Sequence, residues 1–266
     1  MIWHDDGLEI FAAEGAALPA GGEAGVVEHK GARIWHVSYG AGAPVILLHG
    51  GLGHSGNFAH QVPTLVEAGY RAVLIDSRGH GHSTRDGQPY SYDLMARDVL
   101  AVMDALKIER APIVGWSDGA CTGLAMSRMA PERVDGVLFF ACNVDDSGTR
   151  PFEFTPMIGN CIGRHQADYA ALSATPDDFQ AFSDAVGLMQ GTQPNYSAAD
   201  LAAIAVPVTV LQSEHDEFIK PEHAAYIAQT IPGAELVELN GVSHFAPLQR
   251  PELFNAAVLG FLAKVA

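Results

Sequence analysis

The sequence is short of cysteine, short of basic charge and without a long apolar run, and each shortage closes off a class of protein. Its three cysteines, Cys121, Cys142 and Cys161, cannot all pair, and none stands in C-x-x-C spacing. The expectation is reduced thiols in a cytoplasmic protein rather than a disulfide framework. Lys and Arg number 15 against 31 Asp and Glu, a formal net charge of −16. Such a chain repels polyanions, so neither nucleic acid nor an anionic membrane surface is an expected partner. No apolar stretch approaches the ~18 residues of a membrane span. The opening MIWHDDGLEIF has no basic segment leading into an apolar one, so no export signal is read there. No internal repeat is found. What is left is an acidic enzyme or binding protein, long enough at 266 residues to bury a large core as one α/β unit.

What is present is rhythm. Residues 1–24 are Ala/Gly-rich and non-periodic and read as an N-terminal extension of unsettled order. From about residue 26, VVEHKGARIWHVSYG reads as a hairpin turning at Lys30-Gly31. APVILLHGG, YRAVLIDSRGHGHS, APIVGWS, VDGVLFFACN and VPVTVLQSEHD are continuous apolar runs, the mark of strands covered on both faces. Helical patterns near 57–68, 92–106, 118–130, 221–230 and 251–264 separate or follow them. Strands alternating with helices mean right-handed crossovers and a mostly parallel sheet, with sites at the carboxyl ends of its strands. Core segments at 25–142 and 204–266 thus flank an irregular stretch, 143–203, that reads as a helical cap or lid. Within it, Thr175-Pro176-Asp177-Asp178 reads as a helix start.

The chemistry starts at Gly115-Trp116-Ser117-Asp118-Gly119, placed between an apolar strand and a small-residue helix. In G-x-S-x-G, the glycines remove the Cβ atoms that would collide in a very sharp strand-to-helix turn, and the serine oxygen projects from the top of the sheet. A serine hydroxyl needs a base. Of twelve histidines, His244 stands out: it follows the strand-like AELVELN and precedes the last helix. An acid should orient that imidazole. The loop after TVLQSEHDEF offers Glu214, Asp216 and Glu217, of which Asp216 is preferred, and Asp145 is the rival after VLFFACNV. Donors for an oxyanion are expected from the N–H of Asp118 and from HGGLG, at Gly51 first and Leu52 next. Each would contribute on the order of 3 kcal/mol in the transition state.

Together HGGLG, DSRGHGHS, GWSDGA, EHDEF and GVSHF resemble the oxyanion loop, the loop after the fourth strand, the elbow, the acid turn and the histidine loop of the α/β-hydrolase superfamily, in that family's order. The resemblance runs from about residue 25 to the end. It implies an eight-stranded, mostly parallel sheet flanked by helices, a helical cap after the sixth strand, and a two-step mechanism through an acyl-enzyme on Ser117. It implies no metal and no organic cofactor. His80 and His82 then belong to a family loop rather than to a metal pair, since no carboxylate or cysteine ligand set accompanies them. Ser117 departs from the haloalkane dehalogenase and epoxide hydrolase branches, which carry Asp there. Trp116 and Asp118 depart from carbon–carbon bond hydrolases, which usually show Asn and Met. W-S-D-G is similar to the biphenyl hydrolase-like branch of valacyclovir-hydrolase type, in which the Asp after the serine helps hold a substrate ammonium. Asp118 could do the same, or could be a charge placed at a helix N-terminus by the dipole.

Trp116, Phe218 and Phe245 flank these residues, while Phe152, Phe154 and Met157 fall in the cap. Each is expected either to face an apolar pocket or to be ordinary core. The expected partner is a small ester-like molecule, and the chain is expected to act as a monomer or homodimer. Three readings compete: a serine hydrolase of carboxylic esters or related acyl bonds; another reaction on the same three side chains, such as carbon–carbon hydrolysis, enol-lactone hydrolysis, acyl transfer or cofactor-free halogenation; and a small-molecule receptor with weak hydrolase activity.

Overall fold

The computed structural model describes residues 6–265. Eight strands, β1 (Glu23–His29), β2 (Ala32–Tyr39), β3 (Ala43–Leu48), β4 (Tyr70–Ile75), β5 (Ala111–Trp116), β6 (Val134–Phe140), β7 (Val208–His215) and β8 (Glu235–Ser243), form one sheet in the order β1-β2-β4-β3-β5-β6-β7-β8. The hairpin β1–β2 turns at Lys30-Gly31 as read, both residues having positive φ. The pairs β1/β2 and β2/β4 are antiparallel and every later pair is parallel. The central runs are continuous because both faces are covered: β5 is buried at all six positions. Side chains alternate between two cores. On β3, Ile46 and Leu48 enter one and Val45 and Leu47 the other.

Among the described residues ten α-helices surround the sheet: α1 (Asp6–Glu14), α2 (Gln61–Glu67), α3 (Tyr92–Ala105), α4 (Asp118–Met129), α5 (Pro156–Leu172), α6 (Phe179–Gln190), α7 (Ala198–Ala202), α8 (Pro221–Thr230), α9 (Ala246–Gln249) and α10 (Pro251–Val265). Their starts are chemically marked. Ser91 accepts the Leu94 N–H, Thr155 accepts the Ile158 N–H ahead of Pro156, and Ser197 forms a capping box with Asp200. Helices α5, α6 and α7 are the excursion between β6 and β7. Among the described residues no helix is long and apolar enough to cross a membrane.

Two expectations are corrected. The stretch 1–24 is not merely an irregular extension: α1 buries Leu8 and Phe11 completely or nearly so and packs on α5 and α9. Two apolar residues at i and i+3 suffice to seat a nine-residue helix, but they are too few to stand out among alanines and glycines. Residues 1–5 of that stretch lie outside the described residues, and β1 already begins at Glu23. The second correction is Thr175-Pro176, which makes a turn before α6 rather than its first residues. Asp178 donates its N–H to Thr175 O (3.0 Å), and the Thr175 hydroxyl bonds Tyr169 instead of a helix terminus.

Candidate active site

Ser117 sits where β5 hands over to α4, with φ +52° and ψ −119°. That conformation costs a non-glycine residue on the order of 1–3 kcal/mol and persists only where the surroundings impose it. They do so through the neighbours. A Cβ on Gly115 would lie 2.5 Å from Ala120 Cα, and one on Gly119 would collide with the carbonyl of Leu48 on β3. Ser117 donates its N–H to Phe140 O (2.8 Å), and its own carbonyl accepts from Ala120 (2.8 Å) and Cys121 (3.2 Å). The two glycines of the pentapeptide are therefore steric requirements of this turn.

His244 follows β8 directly. Its Nδ1 lies 3.1 Å from both carboxylate oxygens of Asp216, which is buried. Asp216 Oδ1 also accepts the N–H groups of Phe218 and Ile219, each at 2.9 Å, so the carboxylate is fixed from its own loop. In the neutral imidazole this places the proton on Nδ1 and leaves the Nε2 lone pair for another partner. Burial alone would make His244 harder to protonate. The charge and hydrogen bond of Asp216, with Glu217 and Asp118, outweigh it and hold the imidazole above its ordinary value.

The other carboxylates of the acid loop do not compete for the ring; they hold its loop. Glu214 accepts the Gly241 N–H (2.8 Å) and Glu217 accepts the His244 N–H (2.9 Å). The carboxyl ends of β7 and β8, with the loops that follow them, are thus joined by three carboxylates, of which the sequence pattern marks only Asp216 for the histidine. Asp145 goes elsewhere, capping the short turn Asp146–Gly148 through the Ser147 N–H (2.8 Å).

Gly51, Leu52 and Asp118 border one cavity of about 340 Å³ together with Ser117 and His244. Leu52 has φ +61° inside the turn closed by Gly53 N–H to Gly50 O (3.2 Å), so the loop after β3 folds back over the elbow. A Cβ on Gly51 would lie 2.7 Å from Asp118 Oδ2 and crowd the Gln190 amide, so a side chain there would displace the ends of both. The loop rests on buried Asp76, which accepts from Ser55 N (2.7 Å), His82 N (2.9 Å) and, in contact with His82 Nδ1, 2.9 Å. Burial would raise the Asp76 carboxyl, but these partners and the nearby histidines hold it well below the usual range. His80 bonds the Arg78 carbonyl through Nδ1 (3.0 Å). Among the described residues no group of three or more His, Cys, Asp or Glu is arranged to hold a metal ion.

Asp118 opens α4, so it is an acidic residue at a helix N-terminus as the sequence allowed, and its side chain is buried. Tyr92 of α3 donates its hydroxyl (2.9 Å) and Gln190, the last residue of α6, donates its amide to both oxygens (3.2 and 3.1 Å). Burial pushes its carboxyl up, against the pull of Tyr92, Gln190 and His244. Tyr92 and Gln190 carry no motif, and nothing in their sequence neighbourhoods marked them.

Trp116, Phe218 and Phe245 line the cavity, as does Ile162 of α5. Phe218 meets the His244 ring edge-on at 4.7 Å between centroids. Phe152, Phe154 and Met157 do not line it, which corrects the pocket expectation. Phe152 and Phe154 are 56% and 69% exposed on the extended segment before α5, with Phe152 stacked on Phe218 from outside (5.8 Å). Met157 packs against the core that holds α1. The cap does cover the site, but through side chains further along α5 and at the end of α6.

The comparisons agree with this architecture. The family model described as alpha/beta hydrolase fold matches residues 43–158. RutD of Caulobacter sp. (strain K31), which carries a carbamate hydrolase name, is 30% identical over 265 residues, covering 86% of this chain and 96% of its own. The 2-hydroxy-6-oxononadienedioate/2-hydroxy-6-oxononatrienedioate hydrolase of Paraburkholderia xenovorans (strain LB400) is 30% identical over 256 residues, covering 82% and 86%. Among solved structures, Est816, described as an N-acyl homoserine lactone degrading enzyme, superposes with TM-score 0.71 at 28% identity, covering 89% of this chain and 100% of that one. With the eight-stranded sheet and its capped carboxyl edge, these relationships establish that the chain belongs to the α/β-hydrolase superfamily and is a hydrolase.

Proposed function

We propose that the protein hydrolyses a carboxylic ester or related acyl bond of a small molecule through a covalent acyl-enzyme on Ser117. One observation carries the reading. A serine held at φ +52° by glycines that nothing larger could replace opens into the same cavity as an imidazole pinned by a buried carboxylate. Ser117 Oγ attacks the acyl carbon while His244 Nε2 takes its proton. The carbonyl π pair moves onto oxygen, where the N–H groups of Asp118 and of Gly51, with Leu52 as second choice, would hold it. On collapse the leaving group departs with the proton from His244. Water then repeats the sequence, giving the acid and free Ser117. Asp216 keeps the ring oriented and stabilises its charged form.

The cavity volume of about 340 Å³ and its walls of Trp116, Phe218, Phe245 and Ile162 favour a small substrate with an apolar acyl or alcohol part. The relatives above are named for carbamate, oxo-dienedioate and lactone substrates, which supports an acyl-type centre. Reaction with a fluorophosphonate probe and a burst of p-nitrophenol from short-chain esters are the tests. The expected outcome is one label, on Ser117, and loss of both signals in Ser117→Ala. A protein that resists the probe at high concentration, or whose burst survives the substitution, does not work this way.

A further inference from the structure

Cys121 and Cys142 play no part in that mechanism, yet they sit beside it. Their sulfurs are 3.0 Å apart in the core behind the elbow. Cys121 lies in the first turn of α4 and is completely buried, and its Sγ also reaches the Asn143 carbonyl (3.2 Å). Cys142 stands two residues beyond β6, is 5% exposed, and borders the active-site cavity. The third cysteine, Cys161, belongs to the core on the opposite face of the sheet.

We infer that Cys121 and Cys142 form an oxidation site of this enzyme, in which a peroxide entering the active-site cavity converts the two thiols to a disulfide that distorts the nucleophile turn. Peroxide attacks through the thiol it can reach: Cys142–SH and H2O2 give Cys142–SOH and water. Cys121–SH then displaces that hydroxyl, forming the S–S bond and releasing a second water. Two electrons and two hydrogens leave the thiols, and one peroxide becomes two waters. Burial and the neighbouring Cys142 and Asp118 push the Cys121 thiol up, so the first step with peroxide falls to Cys142, the thiol that borders the cavity.

The consequence for activity follows from what each sulfur is attached to. Bond formation must close the gap to roughly 2.05 Å. Cys121 bonds the Ser117 carbonyl through its N–H, and the Ser117 N–H bonds Phe140, two residues before Cys142. Both ends of the new bond therefore pull on the turn that holds the nucleophile. A displacement of about 1 Å in such a group can cost on the order of a hundredfold in rate. This consequence rests on the Ser117 reading; the oxidation site itself does not.

The test treats the whole chain with hydrogen peroxide and reads intact mass, peptide maps under non-reducing conditions, and ester turnover. Expected are the loss of two hydrogens, one cross-linked peptide pair holding positions 121 and 142, and at least a tenfold fall in turnover that dithiothreitol reverses. Cys161→Ala keeps the link; Cys142→Ala and Cys121→Ala each abolish it. Circular dichroism of both variants shows whether they fold. In the folded Cys121→Ala protein, dimedone should trap a sulfenic acid at Cys142. Two free thiols after treatment, or irreversible oxidation of Cys142 without a link, overturns the site. A link that leaves turnover unchanged overturns its coupling to the elbow. Because mass needs no substrate, a protein that forms the link but hydrolyses no ester even before treatment tells against the Ser117 reading and not against the oxidation site.

Discussion

The rim of the sheet and the cap above it are built by different means. At the rim, position is imposed by backbone sterics and charge-assisted hydrogen bonds: Gly115 and Gly119 leave the turn no alternative, and Glu214, Asp216 and Glu217 lash the end of β7 and its loop to the end of β8 and its loop. The cap rests mainly on apolar side chains, with Phe182, Val186 and Met189 of α6 in the core. Its helices add polar ties at Gln190 to Asp118 (3.1 Å) and Arg128 to Asp200 of α7 (2.7 Å), and the segment leading into them is hydrogen-bonded to the loop after β7, with Arg150 N–H to Phe218 O (2.7 Å) and Lys220 N–H to Gly148 O (2.9 Å). Apolar packing tolerates sliding and substitution far better than a hydrogen-bonded constellation does. Under the proposed mechanism the difference separates reaction from selectivity: the rim would set the rate, and the cap would set what fits.

Substitutions at the rim should therefore act on turnover, and those in the cap on selectivity or stability. Ser117→Ala is expected to lower kcat by on the order of 10⁵–10⁶ with little change in melting temperature, read by ester kinetics and calorimetry. Asp216→Asn should reduce kcat by roughly 10⁴ by favouring the wrong tautomer. The same variant tests the pH dependence. His244 must be neutral to accept a proton, and in the native site its proton affinity is raised above that of an ordinary imidazole, 6.5. The acid limb of kcat/KM should thus fall above 6.5 in the native protein, with activity lost as pH drops through it, and should move down in Asp216→Asn.

Leu8→Ala strikes the foundation of the cap, since α1 packs on α5. Fully buried Leu8 should cost about 2–5 kcal/mol in urea unfolding while leaving the acid limb in place. The smallest effect is expected for Gln190→Leu: a few-fold change in the ratio of kcat/KM between short and branched acyl esters, with the Ser117 label rate nearly unchanged. A large fall in labelling with that variant would erase the distinction between rim and cap, because Asp118 would then be setting the elbow through Gln190.

How much of this was readable in one dimension follows from the range of each interaction. Local sterics leave local marks. G-x-S-x-G, the hairpin at Lys30-Gly31 and the apolar runs of β3 to β7 depend on residues a few positions apart, and each could be read before any fold was known. Their order along the chain also singled out His244 and Asp216, because a parallel sheet delivers the end of every strand to one edge.

What only the fold decided are contacts between positions far apart with no pattern to announce them. Tyr92 and Gln190 close on Asp118 from 26 residues before it and 72 after, and Glu217 reaches His244 across 27 residues. The apolar cap residues were ambiguous for the same reason. Phe152 and Ile162 are equally hydrophobic on paper, and only the path of α5 over the sheet puts one outside the cavity and the other in its wall. Composition and spacing specify which chemistry a chain can perform; which side chains surround that chemistry is settled by packing, because burial is a property of the assembled layers.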